Sequence, residues 1–319
     1  MAMLRRCLLL LVLAVLSALP ALAQDWPSKP IRLIVPFAPG GAADVWARII
    51  AEPLGAALKQ SVVIENRGGA GGMLAATQVA RADPDGYTLL IGGLAPQIIA
   101  PAINANPGFD VLRDFVHIAY IGGPPIVLVT NPASDLKSLK DAIDAAKAGK
   151  LSGYASSGVG TLGHLVMEYV SKQQGIKLNH IPYNTAAFAD ILAGRVPLGS
   201  FTWGAALGQV QGGTLRALAV TTEARRPEAP DVPTFKELGY DLVASTWFSL
   251  AAPKGTPQPV VDRLNAELSR ILNLPDIKPR LERDAFDAKA LTPAQLTAFF
   301  EAETARWKPV AQAAGMKTQ

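Results

Sequence analysis

Two stretches combine glycines, hydroxyls and a carboxylate in a way that would hold an anion without any cationic side chain. The first is Phe37-Ala38-Pro39-Gly40-Gly41 followed by Asp44, and the second is Ser156-Ser157-Gly158-Val159-Gly160-Thr161. Each falls between a strand candidate and a helix candidate, so free backbone N–H groups and the positive end of a helix dipole meet there. Gly40 and Gly41 allow close approach to the backbone, and Asp44 is placed to cap the helix or to accept a hydrogen bond from a ligand. Ser156, Ser157, Gly160 and Thr161 would cradle a carboxylate with hydroxyls and amides. Either loop alone also reads as a plain capping turn. The pair says more, because ligands of doubly wound sheets bind beyond the carboxyl ends of the strands, and two such corners on separate lobes would face each other across a cleft.

Other chemistry is poorly supported. Glycines 68, 69, 71 and 72 lack both a Gly-Lys-Ser/Thr ending and a G-x-G-x-x-G spacing, since Leu74 stands where the last glycine would fall. They read as a tight turn before a closely packed helix. His164 and Glu168 are four apart on a helix candidate, but His117 and His180 make no pattern with them, so the reading is a surface or supporting pair and no metal site. The double serine lacks a G-x-S-x-G frame, and a hydrolase using Ser156 or Ser157 would need a base that scattered histidines do not supply. Trp203 and Trp247 are candidate cleft walls, with core packing as the ordinary alternative.

The elements that must position these loops alternate along the chain. Strand candidates at 31–36, 61–65 and 87–91 enclose helix candidates after Gly41, with Val45, Ile49 and Leu54 on one side, and at 73–81. The alternation resumes at 126–129 and runs through 139–148, 153–156, 162–173, 178–181, 188–192, 197–201 and 215–220. After a short strand at 248–252 come helices near 260–272 and 293–312. Strands apolar on both faces predict parallel sheets covered on both sides. The fold class expected is therefore α/β, with two doubly wound lobes joined by two crossover segments. The divisions expected are a leader at 1–23, lobe 1 at 24–125, lobe 2 at 126–246, and a segment at 247–319 returning to lobe 1.

Arg5 and Arg6 before the apolar run Leu8 to Leu19, then Ala21-Leu22-Ala23, predict a signal peptide cleaved before Gln24 and a periplasmic mature chain. A run of about 12 residues is short of the roughly 20 that span a bilayer. Cys7, the one cysteine, lies within that leader, so no disulfide is expected. A net charge of +4, part of it in the leader, with no basic cluster, argues against nucleic acid as a partner. No cofactor is implied.

The blocks Pro30 to Gly41 with Asp44 and Arg48, Asn66-Arg67 with Gly69-Ala70-Gly71-Gly72, Asp85 to Leu90, Gly160-Thr161 with His164 and Glu168, Pro182-Tyr183, Asp231 to Thr234 and Ala252 to Pro257 resemble the tripartite tricarboxylate transporter receptors, or Bug proteins, over nearly the whole mature chain. The resemblance implies a periplasmic-binding-protein-like fold and a non-enzymatic receptor that closes two lobes on a carboxylate-bearing organic acid or amino acid. It further implies membrane transporter subunits as the partner, with the receptor itself expected to be a monomer. It assigns ligand contacts to the two loops already singled out, and the variable part of the pocket to Tyr183, Asn184, Thr202 and Trp203. One departure stands out: where the family has a basic residue and glycine after Pro-Tyr, this chain has Asn184-Thr185, which favours a less charged or bulkier acid. A receptor that signals through a membrane sensor fits the same residues.

Overall fold

The computed structural model describes residues 26–183 and 187–314, so the leader, Cys7 and Asn184 lie outside the described residues. Two five-stranded sheets organise the chain. The first holds β1 (Ile31–Val35), β2 (Val62–Asn66), β3 (Thr88–Gly93), β4 (Phe115–Gly122) and β10 (Phe248–Pro253) in the order β2-β1-β3-β10-β4. The second holds β5 (Ile126–Thr130), β6 (Gly153–Ser156), β7 (Asn179–Pro182), β8 (Gly199–Thr202) and β9 (Arg216–Val220) in the order β7-β6-β8-β5-β9.

Neither sheet is purely parallel as expected. β1 runs parallel to β2 and β3, whereas β10 is antiparallel to β3 and β4. Likewise β6 is parallel to β7 and β8, whereas β5 is antiparallel to β8 and β9. The reversed strands β5 and β10 are those that enter a sheet straight from a crossing. They start at the gap where the other strands end, and so run away from it.

Helix α1 (Ala42–Leu58) follows β1 and buries Ala43, Trp46, Ala47, Ile50, Leu54 and Leu58. Of the expected stripe Leu54 is buried, but Val45 is 43% exposed and Ile49 only partly buried, because the 43-46-47-50-54 face is the one turned to β1 and β2. Helix α2 (Met73–Ala80) precedes β3. In the second lobe α3 (Leu139–Lys147), α4 (Leu162–Gln174), α5 (Phe188–Leu192) and α6 (Trp203–Gln211) alternate with the strands. Both β4 and α6 escaped the sequence reading.

The chain crosses between the sheets at 123–125 and again in the stretch leading to Phe248, and the two crossings touch. Thr246 N–H donates to the Pro124 carbonyl at 2.8 Å, and Pro125 bridges Ser245. The C-terminal helices are α7 (Gln258–Leu272), α8 (Lys278–Arg283) and α9 (Pro293–Ala313), the last opened by a Thr292/Gln295 capping box. Phe300 of α9 stacks on His117 of β4 at 3.6 Å. The tail does not confine itself to the first lobe: Lys172 of α4 donates to the Ala313 carbonyl at 2.8 Å. Among the described residues no helix is long and apolar enough to cross a membrane.

Candidate functional site

The first corner is braced by Asp44, which is buried. Its carboxylate accepts from the Gly40 amide at 2.9 Å, from Arg48 Nε and Nη2 at 3.0 and 2.9 Å, and from Asn66 Nδ2 at 2.9 Å. Burial acts to raise its pKa, but Arg48, the Gly40 amide and Asn66 together hold the carboxyl below the ordinary range. Four donors fill the acceptor positions of a carboxylate, so Asp44 shapes the loop and has nothing left to accept from a ligand, which corrects its expected role. Gly41 caps α1 without a side chain. The amides of Ala42 and Ala43, in the first helical turn, therefore have no partner within the helix or from a cap.

The second corner divides its serines. Ser156 is fully buried, its Oγ accepting from the Gly158 amide at 3.1 Å and lying 2.7 Å from His180 Nε2; it turns away from the gap, contrary to expectation. Ser157 is exposed and faces the gap. Thr161 caps α4 by accepting from the His164 amide and donates its hydroxyl to the Gly158 carbonyl at 2.8 Å.

Between the lobes lie two neighbouring cavities that share Phe37, Ser157 and Thr161 as walls. An outer one of about 600 Å³ is lined by Phe37, Ala38, Pro39, Asn66, Gly68 to Gly72, Ser157, Gly158, Val159, Thr161 and Pro182. An inner one of about 160 Å³ is lined by Phe37, Gly40 to Ala43, Ala95, Ile126, Ser157, Thr161 to Gly163, Ser200 to Thr202, Ala205, Thr246 and Phe248. The inner chamber thus receives the N-termini of α1, α4 and α6, the last begun by Thr202 without a side-chain cap. Three positive dipole ends thus meet at one volume, and among the described residues no charged side chain lines either cavity.

Other expected residues fall elsewhere. Trp203, as the first residue of α6, points its indole into the second lobe's core beside Ala206 and Val127, is fully buried and lines neither cavity. Trp247 donates to Glu303 at 2.8 Å and is likewise not a wall. Tyr183 bonds Asp190 rather than lining the gap. Gly160 packs against Ala100 of the other lobe. The loop of glycines 68 to 72, read from sequence as a tight turn only, is a wall of the outer cavity and meets the second lobe at Val159. Leu162, Gly163, Ser200 and Phe248 carried no sequence signal, being ordinary core residue types.

Behind the second corner the histidines are not scattered. His164 and His180 stack with ring centroids 3.8 Å apart, and Tyr154 donates to Glu168 at 2.6 Å beside them. The Ser156–His180 pair resembles a nucleophile and base, yet the hydroxyl has no exposed surface for a substrate to reach. Burial lowers His164, further disfavoured by His180, to about 3, and lowers His180 and His117 to about 4. These rings are neutral in the folded chain but protonate near 6.5 when unfolded. The unfolded state therefore takes up more protons as pH falls from about 6.5 to 4, and stability is lost across that window while it is retained above it. For His117 and His164 the loss approaches about 1.4 kcal/mol per pH unit each. Urea midpoints should fall between pH 7 and pH 5; equal midpoints would contradict the buried neutral rings.

Two sheets bridged by paired crossings, with a chamber between them that receives three helix N-termini, define the bilobed fold of a solute-binding receptor. The chain belongs to the tripartite tricarboxylate transporter family of receptors, whose family model matches residues 46–316. It is 37% identical over 306 residues to Protein BugT of Bordetella pertussis, covering 94% of each chain. The periplasmic binding protein BugD superposes with a TM-score of 0.84 at 32% identity, over 92% of this chain and 100% of that one. An R. palustris protein solved with adipate gives 0.85 at 32% identity, over 92% and 99%. Such proteins bind solutes in the periplasm and are not enzymes, and this chain is a periplasmic receptor of that kind.

Proposed function

We propose that the chain captures a small organic acid by closing its two lobes and presents the loaded form to the membrane subunits of a tripartite transporter, acting as a monomer. The observation that carries this reading is the convergence of three helix N-termini on one chamber walled by both lobes. Backbone donors fixed in place replace a carboxylate's water at little cost in reorganisation. Because the donors belong to different lobes, the closed form binds better than the open one, and the ligand shifts the balance between them by that difference. The adipate held by the R. palustris relative fits the same class of guest. On this reading Phe37, Gly40, Gly41, Ser157, Thr161 and Thr202 touch the ligand, Ala38 and Pro39 line its approach, and Asp44, Ser156 and Gly160 hold the corners.

A thermal-shift screen of the mature chain against small carboxylic acids should raise the melting temperature for at least one acid, since a guest that binds only the native state adds to stability. The matching primary amide should leave it unmoved. Equal shifts from acids and amides, or none from any acid, would refute anion capture.

A further inference from the structure

Resting on the receptor reading above, we propose that the inner chamber selects a compact monocarboxylic acid with a body the size of one six-membered ring, and that the Ser200 hydroxyl donates to its carboxylate. The chamber's volume is about 160 Å³, close to the roughly 150 Å³ of an engineered apolar cavity that takes benzene. On the hinge side its wall is mostly carbon, from Ala95, Ile126, Phe201 and Phe248, with the uncharged Thr246 beside them. A second carboxylate pressed against that wall would lose its water and find no cation, since among the described residues no lysine, arginine or histidine lines either cavity. A ring would find apolar surface instead.

Ser200 supplies an independent sign of a missing partner. It sits on β8 and is 1% exposed, yet its Oγ has no hydrogen-bond partner. Buried hydroxyls are rarely left unpaired, because an unmade hydrogen bond costs stability. A methyl group placed on Gly163 would lie 3.3 Å from this Oγ, so the hydroxyl sits beneath the first turn of α4, where its free amides converge. A carboxylate seated there completes the serine's hydrogen bond and the helix amides together. Ser200 is in this sense a specificity residue that stays unsatisfied until the guest arrives.

The test is calorimetric titration of the mature chain and of Ser200→Ala with benzoate, cyclohexanecarboxylate, succinate and citrate, together with thermal melts of both ligand-free proteins. The ring acids are expected to bind at least tenfold more tightly than succinate or citrate. Ser200→Ala should weaken ring-acid binding by about 10- to 100-fold, as a hydrogen bond to a charged group implies. The same variant should melt at or above the wild-type temperature, because it removes an unpaired hydroxyl. A parallel fall in melting temperature and affinity would make Ser200 a structural residue and overturn its role, as would wild-type affinity. Succinate or citrate binding as tightly as the ring acids would overturn the ring-sized class while leaving carboxylate capture standing. Binding of benzamide, with no binding of any of the four acids, would overturn the receptor reading on which the proposal rests.

Discussion

Gly123→Ala is expected to destabilise the protein by more than about 4 kcal/mol, lowering the urea midpoint until little folded material remains at physiological temperature. A methyl group at that position would lie 1.4 Å from the Thr246 carbonyl oxygen and 2.4 Å from its carbon. No rotamer relieves the clash, because both partners are backbone. The two crossings must part by about 2 Å to restore ordinary carbon–oxygen contact, which would pull apart the Thr246 to Pro124 hydrogen bond and the Pro125–Ser245 bridge. These contacts tie one lobe to the other, so the damage spreads to β4, β5 and β10 together. An alanine variant with the wild-type midpoint would show that the crossings are not packed as described.

Gly71→Ala should weaken ligand binding more than it weakens the fold. Its φ of 65° is left-handed, which costs a non-glycine residue about 1 to 2 kcal/mol wherever the lobes are. The added methyl would also lie 2.8 Å from the Val159 carbonyl across the gap and 2.8 Å from the Ala100 Cβ within its own lobe. The contact with Val159 exists only while the lobes are together, so closure bears an extra penalty that the open form escapes. Affinity for the acid giving the largest thermal shift should fall at least tenfold. Small-angle scattering should show the acid-treated variant remaining as extended as the ligand-free protein. Compaction on adding acid, with unchanged affinity, would refute this glycine's part in closure.

Much of this could be read from residues alone, and the failures share a cause. The strand at 153–156 and the helix at 188–192 fall where the alternation placed them, because their apolar runs are bounded by glycine and turn residues. Helix α6 was missed because Trp203-Gly204-Ala205-Ala206-Leu207-Gly208 spreads small residues around the helix and blurs its periodicity. That omission hid one of the three dipole ends. The two corners were legible as strand-to-helix turns rich in glycine and hydroxyls. Which hydroxyl faces the gap was not, because Ser156 and Ser157 differ only in the pleat: one meets His180 and the other the cavity. The stacked His164–His180 pair joins residues 16 positions apart on α4 and β7, a proximity only the tertiary fold creates. Asp44 was legible as a functional position, but its saturation by Arg48, Asn66 and Gly40 depends on β2 lying alongside β1.

A charge anchor made of main-chain amides is one that codon changes cannot easily erase, since every residue but proline brings the same N–H. On the proposed reading, lineages carrying this scaffold can therefore exchange the hydrocarbon surfaces around Ile126, Phe201 and Phe248 and acquire new cargo while the grip on the carboxyl group is inherited intact.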